Sequence, residues 1–331
     1  MGGCRRRRKP GTHLHTRVAR RQEPYPNASI LNYFRSERLT DSSMEIFLLT
    51  CPTVPFLYED DQILLEELRS LGLKAKPMVW DDPLVDWSNA SASIFRSVWD
   101  YHLRYTEFLN WLRWAAEKTR FYNSPEMVIW NSHKSYLRQL EEKGISIIET
   151  AWISGSEETE LSELLESRSW EEAIIKPAVS ASAFKTQRVI LRDKSSMISG
   201  QELVEELSRQ GEVMVQPYLW ELETNGEKSL MFIAGKYTHA VIRKAALTSG
   251  REESAQGEAA TATASELRFS QQVIDSLEMV PLYARVDLIA DGAQRIRLIE
   301  LELIEPVLFF RHSRQAAQRM AEEIFRVTAY A

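Results

Sequence analysis

The chain has 331 residues, of which 44% are hydrophobic and 27% charged, and this suits a folded globular protein of two or three modest domains. No apolar run approaches the roughly 20 residues that span a bilayer. The two cysteines, Cys4 and Cys51, give neither a CxxC pair nor a metal-ligand spacing. These features argue against a membrane protein, a disulfide scaffold and a zinc module, and they indicate a reducing, cytoplasmic compartment.

The charge is distributed unevenly along the chain. Residues 1–43 carry ten Lys/Arg and three Asp/Glu, whereas the remainder carries 31 and 44. An acidic body argues against a nucleic-acid-binding core. The basic head is either a tail that contacts nucleic acid or anionic lipid, or a disordered extension without a role, and we favour the second because it shows no sustained apolar period. Met44 opens the first clean strand and is an alternative translation start.

The next segment alternates strands and helices. We predict strands over 45–51, 74–80 and 93–98, and helices over 60–71 and 105–118. Gly72 follows the first helix as its stop signal. This alternation predicts a parallel sheet with helical crossovers, and hence an α/β domain over 44–122.

Two further units are predicted beyond this domain. A small α+β unit over 123–220 is expected to contain helices over 132–142 and 200–209 and strands over 145–148, 173–176, 186–191 and 212–216. A last unit over 221–331 is expected to contain a hairpin (228–233 and 237–244), a polar stretch (248–265), a helix (266–277), two strands (283–290 and 295–303) and a final helix (315–327).

Acidic residues interrupt the last two predicted strands. Asp287 lies in one strand, and Glu300 and Glu302 lie in the next. Because strand side chains alternate, Glu300 and Glu302 point to the same face, where they repel each other unless a cation lies between them. Oxygen ligands of this kind suit Mg²⁺. The alternative is a solvent-facing acidic edge paired with Arg295 and Arg297.

Two lysines are candidates for contact with a phosphate group. Lys176 ends an apolar strand, and Lys134 lies early in a predicted helix. The loop after Lys176 contains Ser180 and Ser182, whose small neighbours let backbone N–H groups approach phosphate oxygens. Most lysines at strand ends are simply solvated, so this pair gains weight only beside the acidic residues.

Two other segments have candidate ligand-binding residues. The chain leaves one strand through Gln216, Pro217, Tyr218 and Leu219, whose extended backbone can pair with the edge of adenine, or is only a linker. Glu221, Glu223 or Glu227 could then bind ribose. Ligands of open α/β sheets gather at the carboxyl ends of strands. Substrate candidates there are Arg96, Asp100 and Tyr101, although a structural Arg–Asp pair explains the first two equally well.

Taken together, these segments resemble the ATP-grasp superfamily over roughly residues 44 to 328, in particular its branch similar to glutathione synthetase and the cycloserine cyclo-ligase. The matching stretches are Arg-Ser-Val-Trp-Asp-Tyr-His (96–102), Trp-Asn-Ser-His-Lys-Ser-Tyr-Leu (130–137), Ile-Lys-Pro-Ala-Val-Ser-Ala-Ser-Ala-Phe (175–184), Gln-Pro-Tyr-Leu (216–219), Gly-Glu-Lys-Ser-Leu (226–230), Tyr-Ala-Arg-Val-Asp (283–287) and Glu-Leu-Glu-Leu-Ile-Glu-Pro (300–306).

The resemblance implies an ATP-grasp fold, α/β and α+β, with an N-terminal parallel α/β domain. It implies a Mg²⁺-dependent ligase, Mn²⁺ being able to replace Mg²⁺, that activates a small carboxylate as an acyl phosphate for attack by an amine. The implied roles are phosphate contact for Lys134 and Lys176, adenine contact for 216–219, ribose contact for Glu227, metal binding for Asp287, Glu300 and Glu302, and contact with the transferred phosphate for Arg285 and Arg243.

Two departures from that family pattern stand out. The loop from Ser180 to Phe184 contains no glycine, and the segment over 245–265 lacks the expected glycine pair and has Arg251 as its only basic residue. A non-catalytic nucleotide-binding protein and a small-molecule kinase on the same fold therefore stay open as alternatives. No membrane partner is expected, and homo-oligomerisation is left open.

Overall fold

The computed structural model describes Met1 and residues 45–155, 159–181, 183–244 and 256–329. Residues 43–331 form one compact unit, which holds all the helices and strands described below. The predictions for residues 1–43 and for Met44 fall outside the described residues. In the ranges that are described, no helix is both long and apolar enough to cross a membrane.

The strands are β1 (Glu45–Thr50), β2 (Lys74–Val79), β3 (Ala90–Ser97), β4 (Ala151–Ile153), β5 (Glu172–Pro177), β6 (Gln187–Ile190), β7 (Val213–Pro217), β8 (Glu227–Ile233), β9 (Lys236–Arg243), β10 (Glu258–Ala260), β11 (Tyr283–Ala290) and β12 (Ile296–Glu302). The helices are α1 (Glu59–Ser70), α2 (Tyr105–Ala116), α3 (Pro125–Asn131), α4 (Tyr136–Glu142), α5 (Leu161–Ser167), α6 (Lys194–Ser208), α7 (Glu221–Thr224), α8 (Ala264–Asp275) and α9 (Arg314–Ala329).

The first sheet is parallel, in the order β2-β1-β3. Ile46 and Leu48 of β1 pack with α1 and α9 in one core, whereas Phe47 and Leu49 pack with α2 in another. Successive side chains thus enter opposite cores, and burial of both faces explains why β1 is apolar throughout. This confirms the predicted N-terminal parallel α/β arrangement.

The other two sheets are antiparallel. The second has the order β4-β7-β5-β6, and α5 and α6 pack against it through one core. The third has the order β10-β9-β8-β11-β12, with α3, α4 and α8 contributing to its core. The sheets fall within the predicted ranges 44–122, 123–220 and 221–331, although the domain boundaries themselves stay a prediction.

At the C-terminal end of β12, side chains rather than another backbone segment cover the outer edge. The Asn131 amide donates to the carbonyl of Leu301 and accepts from the N–H of Leu303, both at 2.8 Å. The Asn123 amide donates to the carbonyl of Leu303 at 2.8 Å, and the Tyr136 hydroxyl accepts from the N–H of Leu301 at 2.9 Å. These contacts provide hydrogen-bond partners for the backbone N–H and C=O groups of Leu301 and Leu303, at the end of β12.

Several predicted elements between residues 123 and 209 were wrong. The helix expected over 132–142 begins only at Tyr136 as α4, and the separate helix α3, which Ser124 caps, ends before it at Asn131. The expected strand over 145–148 is a single bridge between Ile147 and Leu298, and the strand lies at β4 instead. Helix α6 starts before the predicted residue 200, because the Asp193 carboxylate accepts from the first-turn N–H groups.

Candidate active site

A cavity of about 250 Å³ is lined by residues from both antiparallel sheets and from the segment after β3. All the predicted phosphate- and adenine-contact residues within the described chain line it, and so do both predicted catalytic arginines. Of the ribose candidates Glu221, Glu223 and Glu227, the cavity lining includes only Glu227. Ser182 falls outside the described residues. The cavity therefore brings together segments that are far apart in sequence.

Arg285, Glu300 and Glu302, on one face of the β11–β12 pair, form the floor of the cavity, whereas Asp287 on the same face is 0% exposed and is not among the lining residues. Asp287 lies directly opposite Glu300, and Arg285 lies directly opposite Glu302. Directly opposite residues of an antiparallel pair share a face, so all four of these side chains project to the same side. Leu301 points the other way and is only 1% exposed. Glu300 and Glu302 therefore point to the same face of the sheet, as predicted.

Asp287 lies at the centre of a buried charge network. Its carboxylate accepts hydrogen bonds from the Ser229 hydroxyl at 2.6 Å, Arg243 Nη2 at 2.8 Å and Arg285 Nε at 2.9 Å. Burial alone would raise the pKa of Asp287, but the two guanidinium groups outweigh it and hold that pKa well below its usual range. Asp287 is therefore ionised, and it is bound to arginines.

The other acids of this face also have cationic partners. Glu302 accepts from Arg285, and Glu227, the partner of Arg243 across the β8–β9 pair, accepts from Arg243. Burial raises the pKa of Glu302 and of Glu227 to about 7, against the opposing effect of the arginines. Arg295 and Arg297, the alternative partners of the acidic strand, bind Asp291 instead. A plain acidic edge paired with those two arginines is therefore wrong.

Lys134 links the acidic face to the loop after β5. Its ammonium group donates to Glu300 and, at 3.0 Å, to the carbonyl of Ser180. Its backbone N–H donates to the carbonyl of Ala178 at 2.8 Å. Burial disfavours its charged form, but Glu300 outweighs this effect and raises the pKa of Lys134. The charge of Glu300 is stabilised in turn, and the pKa of that acid is lowered.

Lys176 differs from Lys134 because its ammonium group has no hydrogen bond or ion pair with any described residue. It is the last residue but one of β5 and lines the cavity. Burial lowers the pKa of Lys176 from 10.5 to about 8 despite the attraction of Glu300. An ammonium group placed this way gains the most from an incoming anion.

The loop that follows Lys176 bends without glycine. Ala183 and Lys185 adopt φ angles of +56° and +49°, in the left-handed region that non-glycine residues seldom occupy. Phe184 contacts the His102 ring at 5.0 Å between centroids, so the loop reaches the segment after β3. The loop therefore bends without glycine, and its backbone is strained at Ala183 and Lys185.

The adenine-contact candidates form the opposite end of the cavity. The Gln216 side chain donates to Thr150 Oγ1 at 2.8 Å, and the N–H of Tyr218 donates to the carbonyl of Glu172 at 2.9 Å. The Arg188 guanidinium lies 3.8 Å from the centre of the Tyr218 ring. Pro217 and Leu219 also line this end. The segment is held rigidly enough to form a pocket wall.

The structure does not place two of the three substrate candidates in the cavity. Arg96 is 0% exposed and donates to Asp61 at 2.9 Å and to the carbonyl of Pro306 at 2.7 Å. Asp100 accepts from Trp80 and Arg104. These contacts favour a structural role for both residues, and Arg96 pairs with Asp61 rather than with Asp100. Tyr101 does line the cavity.

Comparison with known proteins identifies the fold. The family model described as D-cycloserine synthetase DcsG, N-terminal domain, matches residues 46–123. The chain is 27% identical to the cycloserine biosynthesis protein DcsG of Streptomyces lavendulae over 281 residues, covering 79% of this chain and 91% of that protein. The crystal structure of D-cycloserine synthetase DcsG matches with a TM-score of 0.78 and 26% identity, over 86% of this chain and 99% of that one. The ATP-grasp ligase PsnB, solved with precursor peptide PsnA2 and AMPPNP, matches with a TM-score of 0.56 and 16% identity, over 88% of this chain and 100% of that one. The chain therefore has the ATP-grasp fold.

These similarities confirm the predicted family resemblance, fold and enzyme class, and the chain is an ATP-using ligase. Its two antiparallel sheets enclose the cavity lined by Lys134, Lys176 and the acidic face.

Sequence reasoning missed several residues of this ATP-grasp cavity. Glu305, Trp99 and Asn131 lie within the matching stretches but have no predicted role, and Val307 and Phe309 lie outside those stretches. The Glu-Pro step after an acidic strand was a usable signal for Glu305. No local signal pointed to the other four, because tertiary packing alone brings them to the cavity.

Proposed function

We propose that the chain binds Mg·ATP in this cavity and activates a small carboxylate as an acyl phosphate, which an amine then attacks to form an amide or a related bond. The observation that carries the proposal is the convergence of Lys134, Lys176, Arg243 and Arg285 with Glu300 and Glu302 on a single cavity. Cations neutralise charge on the γ-phosphate, and positioning contributes most of the remaining catalysis.

Each part of the nucleotide has candidate partners in this proposal. Lys134 and Lys176 bind the phosphates, with backbone N–H groups of the loop that contains Ser180 and Ser182. The segment from Gln216 to Leu219 binds adenine, and Glu227 binds ribose. Arg285 and Arg243 stabilise the transferred phosphate and the acyl-phosphate oxygens. The support for these roles is that all of them except Ser182 line the cavity.

The carboxylates fit a magnesium ion that arrives with the nucleotide. Asp287, Glu300 and Glu302 offer only oxygen ligands from one sheet face, which suits Mg²⁺ or Mn²⁺. Within the described chain, however, no three such groups converge closely enough to hold a metal ion. Mg²⁺ in nucleotide sites uses one or two carboxylates together with phosphate oxygens. When bound, the ion would neutralise charge on the transferred phosphate.

The substrates of the proposed reaction are a small-molecule carboxylate and an amine. This part of the proposal is supported by the similarity to D-cycloserine synthetase DcsG, which covers most of both chains. Small amino-acid-derived carboxylates are therefore the first compounds to test. A substrate that carries both groups would give a cyclic product.

The test is ADP release by the full chain with Mg·ATP and a panel of small amino-acid-derived carboxylates, each with and without an added amine. Hydroxylamine is included because it traps acyl phosphates as hydroxamates. A ligase gives carboxylate-dependent ADP and a hydroxamate. The panel also includes small alcohols, and alcohol-dependent ADP release without a hydroxamate would indicate a kinase. Binding of Mg·ATP without ADP release in the presence of any of these compounds would contradict catalysis.

A further inference from the structure

Glu305 is a carboxylic acid without a partner inside the cavity. It lies three residues beyond β12, is 9% exposed and lines the cavity. Its backbone carbonyl accepts from Trp99 Nε1 at 3.1 Å, which fixes its main chain against the segment after β3. Across the part of the chain that the structure describes, no group forms a hydrogen bond or ion pair with its side-chain oxygens.

The other glutamates that line the cavity are all paired. Arg243, Lys134 and Arg285 bind, respectively, Glu227, Glu300 and Glu302. Burying an unpaired carboxyl group costs free energy, because water no longer solvates it. No contact among the described residues offsets this cost, so a purely structural role does not explain why Glu305 is there. Burial and the nearby Glu302 and Glu300 raise the pKa of Glu305 well above its usual range. An incoming cation would relieve this cost.

The surroundings of Glu305 locate it relative to the proposed chemistry. Glu305 lines the same cavity as Lys134 and Arg285, the candidates for contact with phosphate. Tyr101 lines this cavity too, is 4% exposed, and its hydroxyl has no hydrogen-bond partner among the described residues. Glu305 thus shares a cavity with the proposed site of phosphate transfer and contacts, through Trp99, the segment after β3.

We infer that Glu305 binds the protonated amine of the second substrate, in a subsite that Tyr101 and Trp99 complete. The inference rests on the proposed ligase function, in which the amine passes one proton to the Glu305 carboxylate, attacks the acyl phosphate beside Lys134 and Arg285, and displaces inorganic phosphate. Val307 and Phe309 give this part of the cavity apolar walls. The subsite therefore takes a small primary amine with a short apolar body, which it holds by charge-assisted hydrogen bonds to the carboxylate.

The test compares two probes that differ in one group. Ethanolamine and ethylene glycol have the same number of heavy atoms, but only ethanolamine carries an ammonium group. Saturation-transfer NMR is recorded for each probe with the full chain in the presence of Mg·AMPPNP. The same measurement is made on Glu305→Gln, on Glu305→Asp and on Glu141→Gln, a control on the exposed face of α4. The rise in melting temperature caused by Mg·AMPPNP is measured on every sample.

We expect the wild-type chain to bind ethanolamine and not ethylene glycol. Glu305→Gln should weaken ethanolamine binding about tenfold, as expected for losing a hydrogen bond to a charged group. Glu305→Asp should keep part of the binding, and Glu141→Gln should keep all of it. Equal binding of the two probes, or undiminished ethanolamine binding by Glu305→Gln, would overturn the inference.

The two proposals fail in different ways. If Mg·AMPPNP raises the melting temperature but wild-type protein does not bind ethanolamine, the amine subsite is wrong and the nucleotide site stands. If Mg·AMPPNP causes no rise, the proposed function fails first. Should Glu305→Gln not fold, the wild-type comparison of the two probes and the Glu305→Asp variant still decide the question.

Discussion

Asp287 and Glu300 face each other across β11 and β12, yet each carboxylate is already bound by a cationic side chain. Arg243 and Arg285 bind Asp287, and Lys134 binds Glu300. A metal ion that approached alone would have to displace these partners. Nucleotide phosphates compete for the same cations, so they would release the carboxylates as they bind.

Metal binding is therefore expected to depend on the nucleotide. Mg²⁺ alone should leave the melting temperature unchanged, whereas Mg·ATP should raise it by several degrees, because a ligand of the folded state stabilises that state by mass action. Differential scanning fluorimetry with Mg²⁺, ATP plus EDTA, and Mg·ATP checks this expectation. A full shift with Mg²⁺ alone would show instead that the carboxylates form a metal site without nucleotide.

Glu300 and its neighbour Leu301 should respond oppositely to substitution. Glu300→Gln keeps the hydrogen-bonding shape but removes the charge that pairs with Lys134. We expect a modest loss of stability, about 1–2 kcal/mol, and a nearly complete loss of Mg²⁺-dependent ADP release. Leu301→Ala removes a side chain that is 1% exposed, so it should cost about 2–5 kcal/mol with little effect on metal dependence.

Urea denaturation and ADP-release assays over a range of Mg²⁺ concentrations separate these two outcomes. Glu302→Gln should behave like Glu300→Gln, because both acids lie on one face of β12. A Glu300→Gln protein that retained full Mg²⁺-dependent activity would show that the acidic strand is structural.

Lys176 should make nucleotide binding depend on pH. Its pKa in the nucleotide-free protein is about 8, so its charge is present below that pH and lost above it. We expect the affinity for Mg·ATP to fall above pH 8, by at most about tenfold per pH unit. Lys176→Arg, which stays charged, should lose this dependence, and Lys176→Ala should bind weakly at every pH. Lys194→Ala, at an exposed position, is the control.

The same lysine has the opposite effect on the stability of the nucleotide-free protein. Between about pH 8 and 10.5, the unfolded chain keeps a proton that folded Lys176 has lost, so the free energy of unfolding should rise with pH across this window. Titration calorimetry and urea denaturation, each repeated from about pH 7 to about pH 9.5, measure the two trends. A pH-independent affinity in the wild type would exclude Lys176 from the phosphate site.

Arg96 should prove structural rather than substrate-binding. Arg96→Met leaves Asp61 buried without its guanidinium partner, so the free energy of unfolding should fall by about 3–5 kcal/mol. Replacing both residues, as Arg96→Met with Asp61→Leu, should recover much of this loss, because no unpaired charge remains. Urea denaturation measures each value. Normal stability of Arg96→Met combined with lost turnover would restore the substrate role.

Local patterns predicted the elements whose structure is decided locally. The first strand is an apolar run with clear boundaries, and Gly72, at a φ of +83°, ends α1 as expected. The region around Ser132 was mispredicted because its structure depends on distant partners. Asn131 bonds to β12, and the backbone of Lys134 bonds to Ala178, and both contacts break the helix that the sequence favours.

The candidate site follows the same division. Alternation along one strand was enough to place Glu300 and Glu302 on a common face. Alternation could not predict that Glu300 pairs with Lys134, because this pairing brings together two segments more than a hundred residues apart in sequence. Nor could it distinguish a buried structural Arg96 from a ligand-binding one, since an arginine near the carboxyl end of a strand looks the same in sequence in either case.

The amides of Asn123 and Asn131 have a consequence for how copies of this chain can meet. An edge strand normally offers a row of unsatisfied N–H and C=O groups, onto which a strand from another molecule can add. At the end of β12 these side chains, with the Tyr136 hydroxyl, already occupy the groups of Leu301 and Leu303. Strand addition is therefore blocked beside the acidic face, and self-association through a continuous intermolecular sheet cannot begin there.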